Sequence, residues 1–192
     1  MDESYLIDQA KKNDVNAYNT LVLHYQDLAF SVAYRIMGEP DSAADAAQDA
    51  FIKAYKKLDS FKGGNFKAWL MRIVTNNCYD MLKSAKRKRE FSLDEITEAN
   101  ESSRLLIAQA DRPEAQQQQQ EMLQAIQHCL DGLPDDQRIV AVLCDVEGYD
   151  YQTAADISEV SLGTVKSRLS RARGKLRDCL RGFGELLPAR YR

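Results

Sequence analysis

Hydrophobic residues recur at intervals of three and four along most of the chain, a spacing that predicts helices. The stretch AADAAQDAFIKAYKKL (43–58) has one apolar helix face, formed by Ala47, Ala50, Phe51, Ala54 and Leu58. Asp41 or Ser42, which follow Pro40, is expected to cap this helix. A further helix is predicted through FKAWLMRIVTNNCYDMLKSAKRKR. The sequence has no alternating Val/Ile-rich segment with hairpin turns, so the expected fold class is all-α.

The pattern changes between about Glu90 and Glu121, where the chain is acidic, contains Pro113 and ends in QQQQQ. This composition predicts a linker, and the glutamines either end it or open the next helix. A coiled coil is the alternative, but no apolar heptad accompanies the glutamines. The chain beyond the linker is predicted to form four helices, at about 122–131, 135–147, 151–158 and 163–180.

Composition narrows the class of protein without naming a function. The chain has 192 residues, 44% hydrophobic and 29% charged, as in ordinary soluble proteins of one or two domains. Four cysteines without a C-x-x-C pair and two histidines predict no metal site and no cofactor, and favour buried, reduced thiols. The acidic start MDESYLIDQA does not resemble a signal peptide, and IVAVLC is too short to span a bilayer. These features predict a cytoplasmic protein without membrane insertion.

The formal net charge of −3 conceals strong segregation of charge along the chain. Residues 61–91 carry a balance of +6 and residues 162–192 one of +7, whereas residues 122–161 carry −7. Two basic segments within acidic surroundings predict two sites for a polyanion such as DNA. A solvated helix face is the simpler explanation of either run by itself.

The second basic segment contains LGTVKSRLSRARGKLR (162–177), which reads as an amphipathic helix. On a helical wheel, Val165, Leu169, Ala172 and Leu176 form the buried stripe. The opposite, outward face carries Lys166, Ser167, Ser170, Arg171, Gly174 and Arg177. A short helix, YQTAADIS, with Asp150 as its expected N-cap, precedes the turn EVSLG. This order is typical of a helix-turn-helix whose second helix enters the major groove of DNA.

The segment LDGLPDDQRIVAVLCDVEGYDYQTAADISEVSLGTVKSRLSRARGKLR resembles the C-terminal domain of the extracytoplasmic-function (ECF, group 4) sigma factors of bacterial RNA polymerase, in the sigma-70 family. In the N-terminal half, YNTLVLHYQDLAFSVAYRIMG, DAAQDAFIKAYKKLDSF and FKAWLMRIVTNNCYDML resemble that family's first domain, in the same order. The resemblance implies two small helical domains joined by a flexible linker, without enzymatic activity. The implied division is region 2 at 1–91, an acidic linker at 92–121, region 4 with the helix-turn-helix at 122–185, and a tail at 186–192.

The same resemblance implies a promoter-specificity subunit that acts in a stress or envelope response. It would bind core RNA polymerase at the β′ clamp helices and the β flap, recognise −35 and −10 promoter elements, and begin to melt the promoter. An anti-sigma factor is an expected partner, which could hold the protein inactive at the membrane. The acidic linker would thread the RNA exit path, although a merely soluble tether explains its composition equally well.

The resemblance also implies roles for individual residues. The expected contacts with core polymerase are Asp45, Gln48, Asp49 and Lys53. The expected −10 and melting residues are Phe61, Lys62, Asn65, Arg72, Asn76, Lys83, Lys86 and Arg87. Phe61 would form the wall of a pocket for a flipped base, and Asn76 would hydrogen-bond to that base. The expected −35 residues are Lys166, Ser167, Arg168, Ser170, Arg171 and Arg173. Arg168 and Arg173 are expected to bind phosphates or to form local ion pairs.

The turn of the helix-turn-helix departs from the family pattern at three positions. Glu159 stands where the family usually has glycine, and Ser158 and Ser161 replace a usual apolar residue and a usual proline. A left-handed backbone at Glu159 would carry strain of about 1 kcal/mol.

Two other classes of protein are alternatives to a sigma factor. A self-standing helix-turn-helix regulator is the main alternative, but it has no use for the second basic segment or for the FKGGNF loop. A helical scaffold would leave both basic segments unexplained. An enzyme is disfavoured because the sequence shows no phosphate loop, nucleophile–base set or metal site.

Overall fold

A computed structural model describes residues 2–92 and 114–185, and every regular element within these ranges is helical, as the periodicity predicts. The elements are α1 (Glu3–Lys11), α2 (Val15–Met37), α3 (Pro40–Lys57), a 3₁₀ turn (Leu58–Ser60), α4 (Phe66–Ser92), α5 (Glu114–Asp131), α6 (Asp135–Ala141), a π-helical turn (Val142–Val146), α7 (Tyr151–Ser158) and α8 (Leu162–Arg181). The tail at 186–192 and the linker prediction over 93–113 lie outside the described residues.

Helices α1–α4 form the N-terminal unit, in which α2 packs against the other three. Asp2 and Asp14 cap α1 and α2 by accepting backbone N–H groups, and α2 ends at Gly38, whose φ of 82° suits glycine. The apolar face predicted for α3 faces the core, because Ala47, Ala50 and Ala54 are all buried there. The small size of these alanines lets α3 approach α2 and α4 closely.

The predicted start of α3 is wrong by two or three residues. The helix begins at Pro40, with Glu39 in the N-cap position, so neither Asp41 nor Ser42 caps it. Proline fits the first position of a helix, since its fixed φ is helical and its missing N–H would have had no intrahelical acceptor. Asp41 instead lies in the first turn, where a negative charge favours the positive end of the helix dipole.

Helices α5–α8 form the C-terminal unit, with α8 packed on α5, α6 and α7. Asp150 caps α7 as predicted, because its carboxylate accepts the backbone N–H groups of Gln152 and Thr153 at 2.9 Å. Ser161 caps α8 by accepting the N–H of Thr164 at 3.1 Å. Helix α5 begins at Glu114, so the glutamine run (116–120) belongs to this helix rather than to the linker.

Two of the four cysteines form a disulfide, contrary to the expectation of reduced thiols throughout. Cys129 on α5 and Cys179 on α8 are bonded, although they stand 50 residues apart in sequence. The pairing follows from packing, which brings their Cα atoms to 5.7 Å, a separation suited to a disulfide. Cys78 and Cys144 are free, and burial raises the pKa of the Cys78 thiol to about 12.

The two units meet along α4, which packs on α7, and at the C-terminal end of α2. Arg138 of α6 is buried and donates to the carbonyls of Ile36 at 2.6 Å, Asp131 at 2.8 Å and Leu133 at 3.2 Å. Gln127 of α5 donates to the carbonyls of Tyr34 and Arg35 near the same helix end. Carbonyls at a helix C-terminus lack intrahelical donors, and a cation suits the negative end of the dipole. These hydrogen bonds help to fix which faces of the two units oppose each other.

Within the described ranges, no helix is both long and apolar enough to span a bilayer.

Candidate nucleic-acid and polymerase interfaces

The outward face of α8 is the most basic surface of the C-terminal unit. Val165, Leu169 and Ala172 are buried beneath it, so the helix is fixed in one rotation about its axis. This rotation exposes Lys166, Ser167, Ser170 and Arg171. A rigid helix that presents two cations and two hydroxyls can contact both phosphates and base edges in a major groove.

Arg168 and Arg173 flank this face and both form ion pairs within the C-terminal unit. Arg168 Nε lies 3.0 Å from Asp136 Oδ2. Arg173 binds Asp145 through Nε and Nη2, the shortest distance being 2.6 Å, and these hydrogen bonds raise the pKa of the guanidinium. Of the two predicted roles, the local ion pair is therefore the one present in this structure.

A concave surface of about 750 Å³ lies between the start of α7 and the outward face of α8. Its lining is formed by Tyr151, Lys166, Leu169, Ser170, Arg173, Gly174 and Arg177. The sequence analysis did not assign Tyr151 to a site. Its position in the first turn of α7 becomes significant only when α7 packs across α8.

The acidic face of α3 is also exposed. Asp45, Gln48 and Asp49 all point away from the alanine stripe into solvent. Lys53 behaves differently, since its ammonium group donates to Asn77 Oδ1 on α4 while Asn77 donates to the Ala46 carbonyl. In this structure Lys53 therefore links α3 to α4, whereas the other three predicted polymerase contacts face solvent.

An apolar groove of about 600 Å³ runs beside this acidic face, between α2 and α3. The groove is not evident from the sequence, because its lining comes from two helices. Phe30 and Ile52 in its lining are 40% and 47% exposed, which is high for side chains of their size. The groove is lined by Val15, Tyr18, Asn19, Val22, Gln26, Phe30, Ala44, Ala47, Gln48, Phe51, Ile52, Tyr55 and Lys56.

The loop before α4 does not present Phe61 as an open surface. Phe61 is only 6% exposed, and its ring packs on those of Phe66 and Trp69 at centroid distances of 5.4 and 5.3 Å. The Lys11 ammonium donates to the Phe61 carbonyl at 2.5 Å. In this structure the aromatic cluster that anchors the loop takes up the Phe61 ring, and the role of Phe61 as the wall of a base pocket stays a prediction.

The rest of the loop is exposed and shaped by its glycines. Gly63 and Gly64 both have φ of 96°, a backbone conformation that side chains disfavour. Lys62 is exposed at the start of the loop. Asn65 Oδ1 accepts the N–H of Ala68 at 2.9 Å, so this predicted DNA contact caps the first turn of α4.

Along α4, the predicted −10 residues Arg72, Lys83, Lys86 and Arg87 are exposed and Asn76 is half-buried. Three of these five contact the C-terminal unit. Arg72 pairs with Glu159, and Asn76 Nδ2 donates to the same carboxylate at 2.8 Å. Lys86 pairs with Asp135. These contacts were not foreseen from the sequence, because the partners lie 49 to 87 residues apart.

The turn between α7 and α8 brings Glu159 to this position. Its backbone is left-handed, with φ of 54° and ψ of 40°, which meets the condition for strain stated above. The hydrogen bond from Asn76, followed by that from Arg72, lowers the pKa of the Glu159 carboxyl, so the group is an anion at neutral pH.

Comparison with known proteins agrees with this arrangement of helices. Residues 21–88 match the family model Sigma-70 region 2, and residues 123–176 match Sigma-70, region 4. The ECF RNA polymerase sigma-E factor of Escherichia coli is 34% identical over 173 residues, which cover 89% of this chain and 90% of that protein. The chain belongs to the ECF sigma factors of bacterial RNA polymerase.

Other relatives of this sigma factor are similar in sequence or fold. The ECF RNA polymerase sigma factor SigE of Mycolicibacterium smegmatis is 34% identical over 164 residues, covering 85% of this chain and 62% of that protein. The sigma factor RpoE of Bartonella quintana, solved with the anti-sigma factor NepR, gives a TM-score of 0.65 at 30% identity, covering 85% of this chain and 96% of that one. CnrH, solved with the cytosolic domain of CnrY, gives 0.64 at 26% identity, covering 93% and 96%.

Family membership assigns the two units of this sigma factor. The N-terminal unit contains region 2 and the C-terminal unit contains region 4. The protein is thus a specificity subunit of RNA polymerase whose partners are core polymerase and promoter DNA. The self-standing regulator is not favoured, since such a protein would not need region 2.

Proposed function

We propose that α8 reads the −35 element with Lys166, Ser167, Ser170 and Arg171, and that α4 and its preceding loop engage the −10 element. The observation that carries this proposal is the exposure of those four α8 residues on a helix whose opposite face is buried. The side chains that contact bases must be held in one register on the helix, which the buried stripe provides.

Arg168 and Arg173 support this reading role from the sides. Their ion pairs with Asp136 and Asp145 brace α8 against α6 and the π-helical turn that follows it. On DNA these guanidiniums would still lie near the phosphates that flank the groove, and they would add to non-specific affinity.

For the −10 element, the proposal assigns Arg72 and Asn76 to the nucleotides nearest the loop, with Lys62 and the Gly63–Gly64 turn beside them. Lys83, Lys86 and Arg87 lie about two to three turns beyond Asn76 along α4, where they would track the DNA backbone. Asn65 supports the loop as the cap of α4. Phe61 supports it from below through the aromatic cluster.

Core polymerase would dock on α3. Asp45 and Asp49 offer acidic groups to a basic partner helix, and such charges set orientation and association rate more than affinity. The apolar groove between α2 and α3 would supply buried area, with Ile52 and Tyr55 as its exposed aliphatic and aromatic residues. A helix with basic and apolar residues on one face fits both features.

The protein would act in the cytoplasm, without catalysing a reaction itself, until an anti-sigma factor sequesters it. The relative RpoE was solved in complex with the anti-sigma factor NepR, which supports this part of the proposal. The inducing signal is expected to be a stress, as for other members of the family.

Run-off transcription tests the whole assignment. Purified core RNA polymerase would be assayed with and without this protein on fragmented genomic DNA from its source. Transcripts that require the protein, with start sites that align on shared −35 and −10 sequences, are the expected result. If the protein instead shifts particular duplexes alone and no transcript appears, the sigma-factor role of α3 and α4 is overturned.

A further inference from the structure

The residue at the turn of the helix-turn-helix serves a purpose that the turn itself does not require. Glycine would adopt the left-handed backbone at position 159 without strain. Glu159 adopts it with strain, because its Cβ crowds the backbone in this conformation. Its side chain reaches away from region 4, towards α4 of region 2.

Both oxygens of the Glu159 carboxylate are engaged by region 2. Oε1 pairs with the Arg72 guanidinium, and Oε2 accepts from Asn76 Nδ2 at 2.8 Å. Arg72 and Asn76 lie one helical turn apart on α4, so one carboxylate can bind both. An anion that accepts from an arginine and an asparagine offers the same groups as a nucleic-acid phosphate or a base-edge acceptor.

Around this contact, other groups of region 4 also lie against cations of α4. Asp135 of region 4 pairs with Lys86 of α4, one of the proposed backbone contacts. Lys67 of α4 lies 5.2 Å from the ring centroid of Tyr149. The acidic segment 122–161 therefore lies against the basic segment 61–91, and carboxylates occupy cations that DNA phosphates would otherwise neutralise.

We infer that Glu159 is an internal competitor for the −10 DNA site: in the closed arrangement of the two regions it occupies Arg72 and Asn76 and keeps them from nucleic acid. DNA and Glu159 cannot hold these two side chains at the same time. Free sigma factor thus binds the −10 strand weakly, and separation of region 4 from region 2 releases both residues. This inference rests on the proposed −10 role of Arg72 and Asn76.

The size of the effect follows from exposure. The Arg72 and Glu159 side chains are 47% and 48% exposed, so water screens their ion pair. A screened ion pair together with one charged hydrogen bond is expected to shift DNA affinity by roughly threefold to tenfold rather than to abolish binding.

The test compares full-length Glu159→Gln with Asp156→Asn. Asp156 is exposed on α7, three residues before Glu159, and contacts Gln152 of its own helix, so the control removes the same charge without touching α4. Binding of a short fluorescein-labelled single-stranded DNA of mixed sequence would be measured by anisotropy at low salt. We expect Glu159→Gln to bind roughly threefold to tenfold more tightly than Asp156→Asn. Equal affinities would overturn the inference.

A second variant separates the carboxylate from the turn. Glu159→Gly keeps the left-handed backbone and removes the whole side chain, so it should bind DNA at least as tightly as Glu159→Gln and should not unfold at a lower temperature than the wild type. A Glu159→Gly protein with wild-type DNA affinity would refute the competition.

Adding Arg72→Ala to Glu159→Gln shows whether the gain uses the proposed site. We expect the added substitution to remove the gain, because the released guanidinium is its source. A gain that survives Arg72→Ala would overturn the inference. Run-off transcription with Arg72→Ala alone tests the −10 assignment separately: normal transcription there would reject the proposed −10 role of Arg72, whatever the binding results show.

Discussion

At the scale of single residues, the basic side chains of α8 fall into two groups with different partners. Arg168 and Arg173 are held by Asp136 and Asp145. Lys166 and Arg171 are exposed, with no ion-pair partner in the described parts of the chain. A paired guanidinium must give up or share its carboxylate to bind DNA, whereas an unpaired one binds without that cost. This difference supports the proposal that the unpaired group, rather than the paired one, reads the DNA sequence.

Arg171→Ala is expected to weaken binding to the −35 duplex by about 1–3 kcal/mol if Arg171 makes a bidentate base contact. Fluorescence anisotropy with the promoter duplex found by run-off transcription would measure the loss. Arg181→Ala, in the last turn of the same helix, removes the same charge and serves as the matched control. Equal losses for the two variants, or an Arg171 loss that is the same on every duplex, would rule out base reading.

The accuracy of the sequence predictions at this scale depended on whether a local pattern decided the outcome. The wheel assigned the exposed residues of α8 correctly, because one buried stripe fixes the orientation of the whole helix. The burial of Phe61 could not be predicted, because it depends on where Phe66, Trp69 and Lys11 lie. Those contacts depend on packing between helices.

At the scale of helices, boundaries that local sequence decides were predicted correctly, and the others were not. The start of α7 was predictable, because Asp150 caps it through backbone groups two and three residues away. The start of α3 was not, because Pro40 could either precede the helix or open it. The glutamine run offered no apolar face that would extend α5 to Glu114, so its helical state could not be assigned.

The Cys129–Cys179 disulfide fastens α5 to the end of α8, so it bears on the stability of region 4. Closing a loop of about 50 residues restricts the unfolded chain, and the bond should contribute about 2–4 kcal/mol to the free energy of unfolding. We expect urea unfolding of the oxidised protein to shift to lower urea on adding dithiothreitol. Cys129→Ser should unfold at that lower urea concentration in either buffer.

Cys144→Ser is the matched control for this prediction, since Cys144 is a free thiol of the same region. It should retain the full response to dithiothreitol. If dithiothreitol does not change the urea midpoint of the wild-type protein, the disulfide does not stabilise region 4.

At the scale of the whole molecule, charge segregation along the sequence becomes complementarity in space. The two basic segments and the acidic one predicted polyanion sites, but their mutual placement depends on the hydrogen bonds that Arg138 and Gln127 donate to the C-terminal end of α2. The acceptors are backbone carbonyls, which carry no sequence signature. Region 4 therefore covers part of α4 while the outward face of α8 and the acidic face of α3 both stay exposed.

Because the face of α3 is open even in this closed arrangement, core polymerase docking on α3, as we propose, would not require the two regions to separate first. Asp49→Arg reverses a charge at the centre of that face and should weaken association with core polymerase, mainly by slowing it, since exposed charges act chiefly on encounter. Surface plasmon resonance with immobilised core enzyme would measure the rates. Asp8→Arg makes the same reversal on the exposed side of α1 and should leave them near wild type.

Asp49→Arg and Glu159→Gln together test whether docking on core polymerase precedes the separation of region 4 from region 2. If core polymerase docks on α3 first, Asp49→Arg should lower the association rate equally in the wild-type and Glu159→Gln backgrounds, because Glu159 contacts Arg72 and Asn76 of α4 rather than the acidic face of α3. If instead opening must precede docking, Glu159→Gln alone should accelerate association. Normal association of Asp49→Arg would remove α3 as the docking face and leave the adjoining α2–α3 groove without its proposed partner.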